Sequence, residues 1–297
     1  MTAYLGSENF LSMAESSRER WRSRCDDIRR KYGIANLESL SARHIKKDLA
    51  SFEGHAANNR LKVWRSLCAY WDQVGQIETN VARQVAPRKT PKTEGHLAWT
   101  KDDFAAFRAH WPIGSKQRLA FELLYRTCAA IGDVAQLHRG MVGLDGWLTY
   151  TRQKSGSVAT CPFHVDGPSW FEATDDLAKC LKVEPAHMTF LTTESGKSRS
   201  AKSVASWFSK SATQAGLDPA KTAHGVRKGR AAVFKENGAL AEQRMAVLGH
   251  ETLSETQHYS KSADLKRTIQ GTEKFQLSEQ VPTAEIKTLK FKGKGNV

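Results

Sequence analysis

The sequence predicts a mainly α-helical protein of two domains, on three observations. Apolar residues recur at helical spacing through most of the chain, strand-like alternation is confined to one short region, and a proline-containing basic stretch interrupts the helices near residue 90. The 297 residues suffice for two domains of about 100–200 residues each, every one with its own core. Apolar content of 40% and charged content of 26% are ordinary for a globular protein.

The first domain, residues 1–86, reads as wholly helical. Within Leu11–Tyr32, Trp21, Cys25 and Ile28 share a helical face, and Gly33 stops the run. Ser41 caps a short helix through Leu49, and a third helix, Ala57–Gly75, sets Leu61, Trp64, Leu67, Cys68 and Trp71 on one stripe, the mark of a packed core. Arg18, Arg20, Arg22, Arg24, Arg29, Arg30, Lys31, Lys46, Lys47, Arg60, Lys62 and Arg65 are expected on the outer faces, where their shared sign suits phosphate contacts. Residues 87–98, P-R-K-T-P-K-T-E-G-H-L-A, form a basic linker.

The second domain spans residues 99–270. Thr100, with Asp102 and Asp103, starts a helix through Ala109, which Trp111-Pro112-Ile113-Gly114 breaks. Ser115 opens another through Thr127 with Leu119, Leu123 and Leu124 buried, and Gly132–Arg139 adds a further turn or two. Between 146 and 165 the period becomes two: W-L-T-Y-T-R and V-A-T-C-P-F flank a Ser-Gly turn and predict a β-hairpin, with Lys154 at the turn's entrance. The other candidate strand is a short one around Met188–Leu191. Ser200 caps an amphipathic helix ended at Gly216, the helix bearing His224 ends at Gly238, and two more follow, one around Ala241–Val247 and one bearing Tyr259. Residues 271–297 are a polar, basic tail.

Charge narrows the function. A net charge of +14 and a pI near 9.6 point to a polyanionic partner. No apolar run reaches the roughly 18 residues of a membrane span, and Met1–Phe10 lacks the basic and apolar regions of a signal peptide. Five scattered cysteines, none in C-x-x-C, argue against a disulfide framework or a zinc site and for a reducing, cytoplasmic setting.

The chemistry concentrates between His224 and Tyr259. His224 and Arg227 are three apart on a helix and so share a face, where a guanidinium fork and an imidazole can address one phosphodiester. Attack by a tyrosine on that phosphorus needs cations around the phosphate, a proton donor for the leaving oxygen and no metal or cofactor, and the sequence shows no metal-ligand cluster. The stretches T-A-H-G-V-R-K, A-V-L-G-H and E-T-Q-H-Y-S, with the hairpin T-R-Q-K-S-G, resemble in order and spacing the boxes of the tyrosine recombinases, or phage integrases. The resemblance covers most of residues 100–265 and implies His224, Arg227 and His250 as phosphate-site residues, Tyr259 as nucleophile and Lys154 as donor to the leaving 5′-oxygen. It further implies a helical core-binding domain ahead of the catalytic domain, a C-shaped clamp on double-stranded DNA, a 3′-phosphotyrosine intermediate, a homo-tetramer with a Holliday junction, a C-terminal segment packed on a neighbouring protomer, and a bacterial mobile element acting at the nucleoid.

One position departs from the pattern. Where the family's first arginine stands in T-G-x-R-x-x-D/E, this chain reads T-C-A-A-I-G-D, with Ala130 in the arginine's place. Arg126 lies one helical turn earlier and is not expected to take over its geometry, and Asp133 is expected to lose a partner. The loss of one transition-state donor costs about 2.7–4 kcal/mol, or roughly 10²–10³ in rate. Ala130 fits either a naturally degenerate member or a deliberate arginine-to-alanine change that traps DNA complexes. It also leaves open a non-catalytic DNA-binding protein derived from a recombinase.

Overall fold

A computed structural model describes residues 1–91, 95–183 and 187–270, and the chain divides into two compact units, Met1–Thr93 and Glu94–Val297. Helices dominate both, and no helix among the described residues is long and apolar enough to cross a membrane.

The first unit holds α1 (Thr2–Leu5), α2 (Glu8–Leu11), α3 (Glu15–Tyr32), α4 (Ala42–Leu49) and α5 (Gly54–Gln73). The helix expected from Leu11 is thus two pieces, because residues 12–14 form a turn between α2 and α3. Cys25 and Ile28 of α3 pack with Ile45 and Leu49 of α4 and with the α5 stripe Leu61, Trp64, Leu67, Cys68 and Trp71. Arg60 corrects the reading of a basic outer face. It is 3% exposed and clamps the buried Asp48 with Nε–Oδ2 and Nη2–Oδ1 contacts of 2.8 and 3.1 Å. Trp64 Nε1 donates to the same carboxylate at 2.6 Å, so a buried charge is paired and hydrogen-bonded as its desolvation requires. Arg22, Arg29, Arg30, Lys46, Lys47 and Lys62 do lie on the surface.

In the second unit the chain runs α6 (Lys101–His110), α7 (Lys116–Thr127), α8 (Ile131–Val134), strands β1 (Trp147–Thr151) and β2 (Val158–Pro162), then α9 (Asp176–Val183), α10 (Ala201–Gln214), α11 (Ala223–Glu236), α12 (Ala241–Leu248), α13 (Leu253–Tyr259) and α14 (Leu265–Gln270). Thr100, Ser115 and Ser200 cap α6, α7 and α10 through side-chain oxygens that accept from Asp103, Arg118 and Ser203 N–H groups. The expected helix over Gly132–Arg139 shortens to one turn at 131–134, followed by a separate 3-10 turn at Arg139–Met141. The candidate strand at Met188–Leu191 is not one; residues 188–191 are a bend, and the nearest ladder contact is a bridge between Thr192 and Ser198. The hairpin forms as expected, antiparallel with Trp147 opposite Pro162 and Thr151 opposite Val158. Leu148, Tyr150, Ala159 and Cys161 bury its inner face.

Nearly every side of α11 is covered, which is why its sequence alternates small and apolar residues around two buried arginines. Gly225 and Gly229 are required by close approach. A Cβ on either would come 2.2 Å from a carbonyl oxygen, of Leu97 or Trp99 respectively. Trp99 continues that contact into an aromatic cluster, in which Phe107 stacks on Phe121 at 5.0 Å and on Phe208 at 5.4 Å. Gly229→Ala is therefore expected to destabilise the protein by about 1–3 kcal/mol, as overpacking does. Thermal unfolding checks this, and an unchanged Tm would show that the segment at Trp99 gives way freely.

Candidate active site

The site gathers at α11, where three local devices aim the groups. At the end of α7, Cys128 adopts a left-handed conformation with φ of +51°, and its carbonyl accepts a hydrogen bond from Arg227 Nη1. At the end of α12, Gly249 has φ of +60°, a conformation open to glycine, and turns the chain so that His250 follows directly. At the start of α13, Thr252 Oγ1 accepts from Glu255 N–H and begins the helix that ends on Tyr259.

Arg227 is 1% exposed. Beyond the Cys128 carbonyl, its Nη2 donates to Leu248 O at 2.6 Å and lies 2.9 Å from His250 Nε2. Because arginine is a donor only, His250 Nε2 is the acceptor, which puts the imidazole proton on Nδ1 and lets it donate to Thr256 Oγ1 at 3.0 Å. Burial, with Arg227 and Arg152 nearby, pushes the His250 pKa down to about 3. The 3.6 Å approach of Glu255 to Nε2 is consequently not an ion pair at neutral pH.

Tyr259 is half-buried against this group. Its ring lies 4.6 Å from the His250 ring and 5.2 Å from the His224 ring, with the Arg227 guanidinium 5.1 Å from its centroid. His224 is pushed down to a pKa of about 4, first by burial and then by the charges of His96, Arg227, Lys228 and Lys154. Lys154 is exposed in the hairpin turn and bears on the site through its charge. The structure thus brings His224, Arg227, His250 and Tyr259 into contact and sets Lys154 at their edge.

Ala130 is the residue before α8, with its carbonyl bound by Val134 N–H. Asp133 is not left without partners: its Oδ1 accepts from Gln153 N–H at 2.9 Å, and Oδ2 lies 3.8 Å from Arg152 Nε. Arg126 points elsewhere, donating to Thr174 O at 2.8 Å. His258 meets Tyr259 edge-on at 6.1 Å and is otherwise exposed.

Arg152 escaped the sequence reading. It is 5% exposed and donates from Nη1 to Gly249 O at 2.6 Å, while Ser157 Oγ donates to the same carbonyl at 2.7 Å. These two bonds dock the hairpin turn on the Leu-Gly-His turn and so fix where Lys154 is held. In the sequence it is only the position that alternates in step with Leu148 and Tyr150, and no local signal named Gly249 as its partner. Arg152 Nε and Arg227 Nε are both buried without a hydrogen-bond partner, so each guanidinium keeps donor capacity.

Residues 103–266 match the phage integrase family. The tyrosine recombinase XerC of Chlamydia trachomatis serovar L2 is 25% identical over 238 residues, 78% of this chain and 73% of that one. The XerC of Chlamydia caviae is 24% identical over 147 residues, so the match spans half of this chain and 47% of that protein. Among solved structures, a lambda integrase dimer bound to a core site is similar in fold, with a TM-score of 0.73, 20% identity, and 97% and 99% of the two chains covered. A lambda integrase tetramer bound to a Holliday junction has the same TM-score at 19% identity, with 89% and 77% covered. Since the family match spans more than half of the sequence, this chain belongs to the phage integrase family, the tyrosine-type recombinases that break and rejoin DNA strands.

Proposed function

We propose that the chain is a site-specific DNA recombinase of a mobile element, with Tyr259 as its nucleophile and a 3′-phosphotyrosine as its intermediate. The observation that carries this reading is the packing of the Tyr259 ring against His224, His250 and Arg227 together. In this chemistry the Tyr259 oxygen forms a bond to phosphorus as the bond to the 5′-oxygen breaks. The phenol proton passes to the neutral His224 ring as the oxygen–phosphorus bond forms, and Lys154 supplies one to the departing oxygen. Arg227, buried and still carrying an unused Nε donor, stabilises charge on the non-bridging oxygens. Both imidazoles are neutral near pH 7, so His224 is free to accept a proton and His250 acts as a hydrogen-bond partner of Arg227 and Thr256.

Double-stranded DNA is the partner, held through the basic surface, and the active assembly is a homo-tetramer of the kind seen for lambda integrase on a Holliday junction. The first unit serves as the core-binding domain and residues 99–270 as the catalytic domain. The segment after Tyr259 packs on a neighbouring protomer; residues 271–297 of that segment, like 92–94 of the linker, lie outside the described residues. Ala130 lowers the rate in this form of the chain. It also favours a second reading, a DNA-binding protein that has lost cleavage.

Three experiments separate and test these readings. With nicked site DNA, Tyr259→Phe abolishes the covalent adduct on a denaturing gel while DNA binding persists; an undiminished adduct identifies another nucleophile. Ala130→Arg is expected to raise the rate of adduct formation by about 10²–10³, the worth of one restored transition-state donor. If it binds DNA and still forms no adduct, the non-catalytic reading is correct. Lys154→Ala slows cleavage of ordinary DNA, and a bridging 5′-thio substrate restores the rate because sulfur leaves without a proton. Lack of rescue removes Lys154 from the acid role.

A further inference from the structure

His96 sits where the function assigned above gives it no part. Its ring lies 4.6 Å from that of His224, with 47° between the planes, while Tyr259 packs against the same His224 ring at 5.2 Å. The contact is built from several sides. Nδ1 of His96 is 3.1 Å from the hydroxyl of Thr222, the residue that opens α11, and its carbonyl accepts from Lys228 Nζ at 2.9 Å. The residues that follow are laid along the same helix. Trp99 N–H donates to Gly225 O at 3.0 Å, Lys221 Nζ donates to Ala98 O at 2.9 Å, and Leu97 passes over Gly225 so closely that a Cβ there has no room. The end of the basic linker is thus strapped to the turn of α11 that bears His224, and the strap delivers one imidazole to another.

We propose that His96 is a positioning residue of the strand-transfer site, a linker-borne imidazole that sets the orientation and charge state of His224 against Tyr259. The orienting part is steric: the His224 ring is flanked by His96 and Tyr259. The second part is electrostatic. The charged or titratable groups that bear on His224 are His96 from the linker, Arg227 and Lys228 from α11, Lys154 from the hairpin turn and Tyr259 from α13. The four basic groups all disfavour an imidazolium at His224. Removing one of them favours it, so His224 then takes its proton at a higher pH.

The test is a proton titration of the His224 ring by NMR in the full chain and in His96→Phe and His96→Ala, with single-turnover cleavage of nicked DNA measured alongside. In both variants His224 is expected to titrate about half a pH unit or more above the parent chain. Cleavage at saturating DNA falls about tenfold in His96→Ala, through lost orientation, whereas His96→Phe keeps the plateau rate and moves the acid limb upward. DNA affinity stays unchanged in both. If His96→Ala does not fold, His96→Phe and His96→Gln give the same titration readout. Coincident His224 titrations in parent and variants overturn the proposal. The cleavage arm rests on the recombinase reading and fails separately: a shifted titration with no adduct in any variant, Ala130→Arg included, leaves the His96–His224 coupling standing and removes the recombinase.

Discussion

The buried guanidinium of Arg227 is the constraint on which the site depends. A charge with 1% exposure carries a desolvation cost of several kcal/mol, and among the described residues no carboxylate lies within ion-pair distance of it. The cost is offset by two backbone carbonyls and one imidazole, which come from the end of α7, the end of α12 and the turn after it. Each of those segments ends where a left-handed residue, Cys128 or Gly249, redirects the backbone. The same cation therefore holds three chain segments together and fixes the tautomer of His250. Because its neutralising partners are dipoles rather than an anion, it leaves net positive charge under the Tyr259 ring, which favours an anionic group there.

That arrangement explains which parts were legible in the sequence. The H-x-x-R spacing, the Gly-His pair and the tyrosine are local patterns, and the helix caps at Thr100, Ser115 and Ser200 are read directly from residue type. The hairpin was visible because its two strands alternate and its turn contains glycine. Contacts between segments distant in sequence were not. Arg152 and Gly249 are joined across the fold, as are Arg60 and Asp48 within the first unit. A long basic side chain looks the same in sequence whether solvated or clamped on a buried acceptor, and Arg60 was misplaced for that reason. His96 gave no signal because its partners, Thr222, Lys228 and His224, become neighbours only when the linker lies along α11.

Asp133 shows how the site accommodates Ala130. A carboxylate 5% exposed with no donor would be costly, and the sequence led to the expectation that Asp133 loses one partner, an arginine at 130. Instead the hairpin turn supplies a backbone N–H from Gln153, with Arg152 close by. Folding of this region accordingly does not need an arginine at 130. With alanine at 130 the chain still packs the Tyr259 ring against His224, His250 and Arg227.

The proton inventory follows from the same electrostatics. Burial and neighbouring cations hold His224 near a pKa of about 4 and His250 near about 3, so neither carries positive charge at neutral pH. Positive charge then resides on Arg227 and Lys154 alone among the residues the family boxes identify. Of those two, an arginine does not give up a proton under ordinary conditions, which is why the proposed mechanism gives the donor role to the lysine. A neutral His224, in contact with the Tyr259 ring, is the proton acceptor of the proposed mechanism, and with a pKa of about 4 it is a weak base that takes the proton only as the bond to phosphorus forms. The lysine and the neutral imidazole come from different elements, the hairpin turn and α11. The Arg152–Gly249 bond docks that turn on the residue before His250 and so joins the hairpin to the segment between α12 and α13.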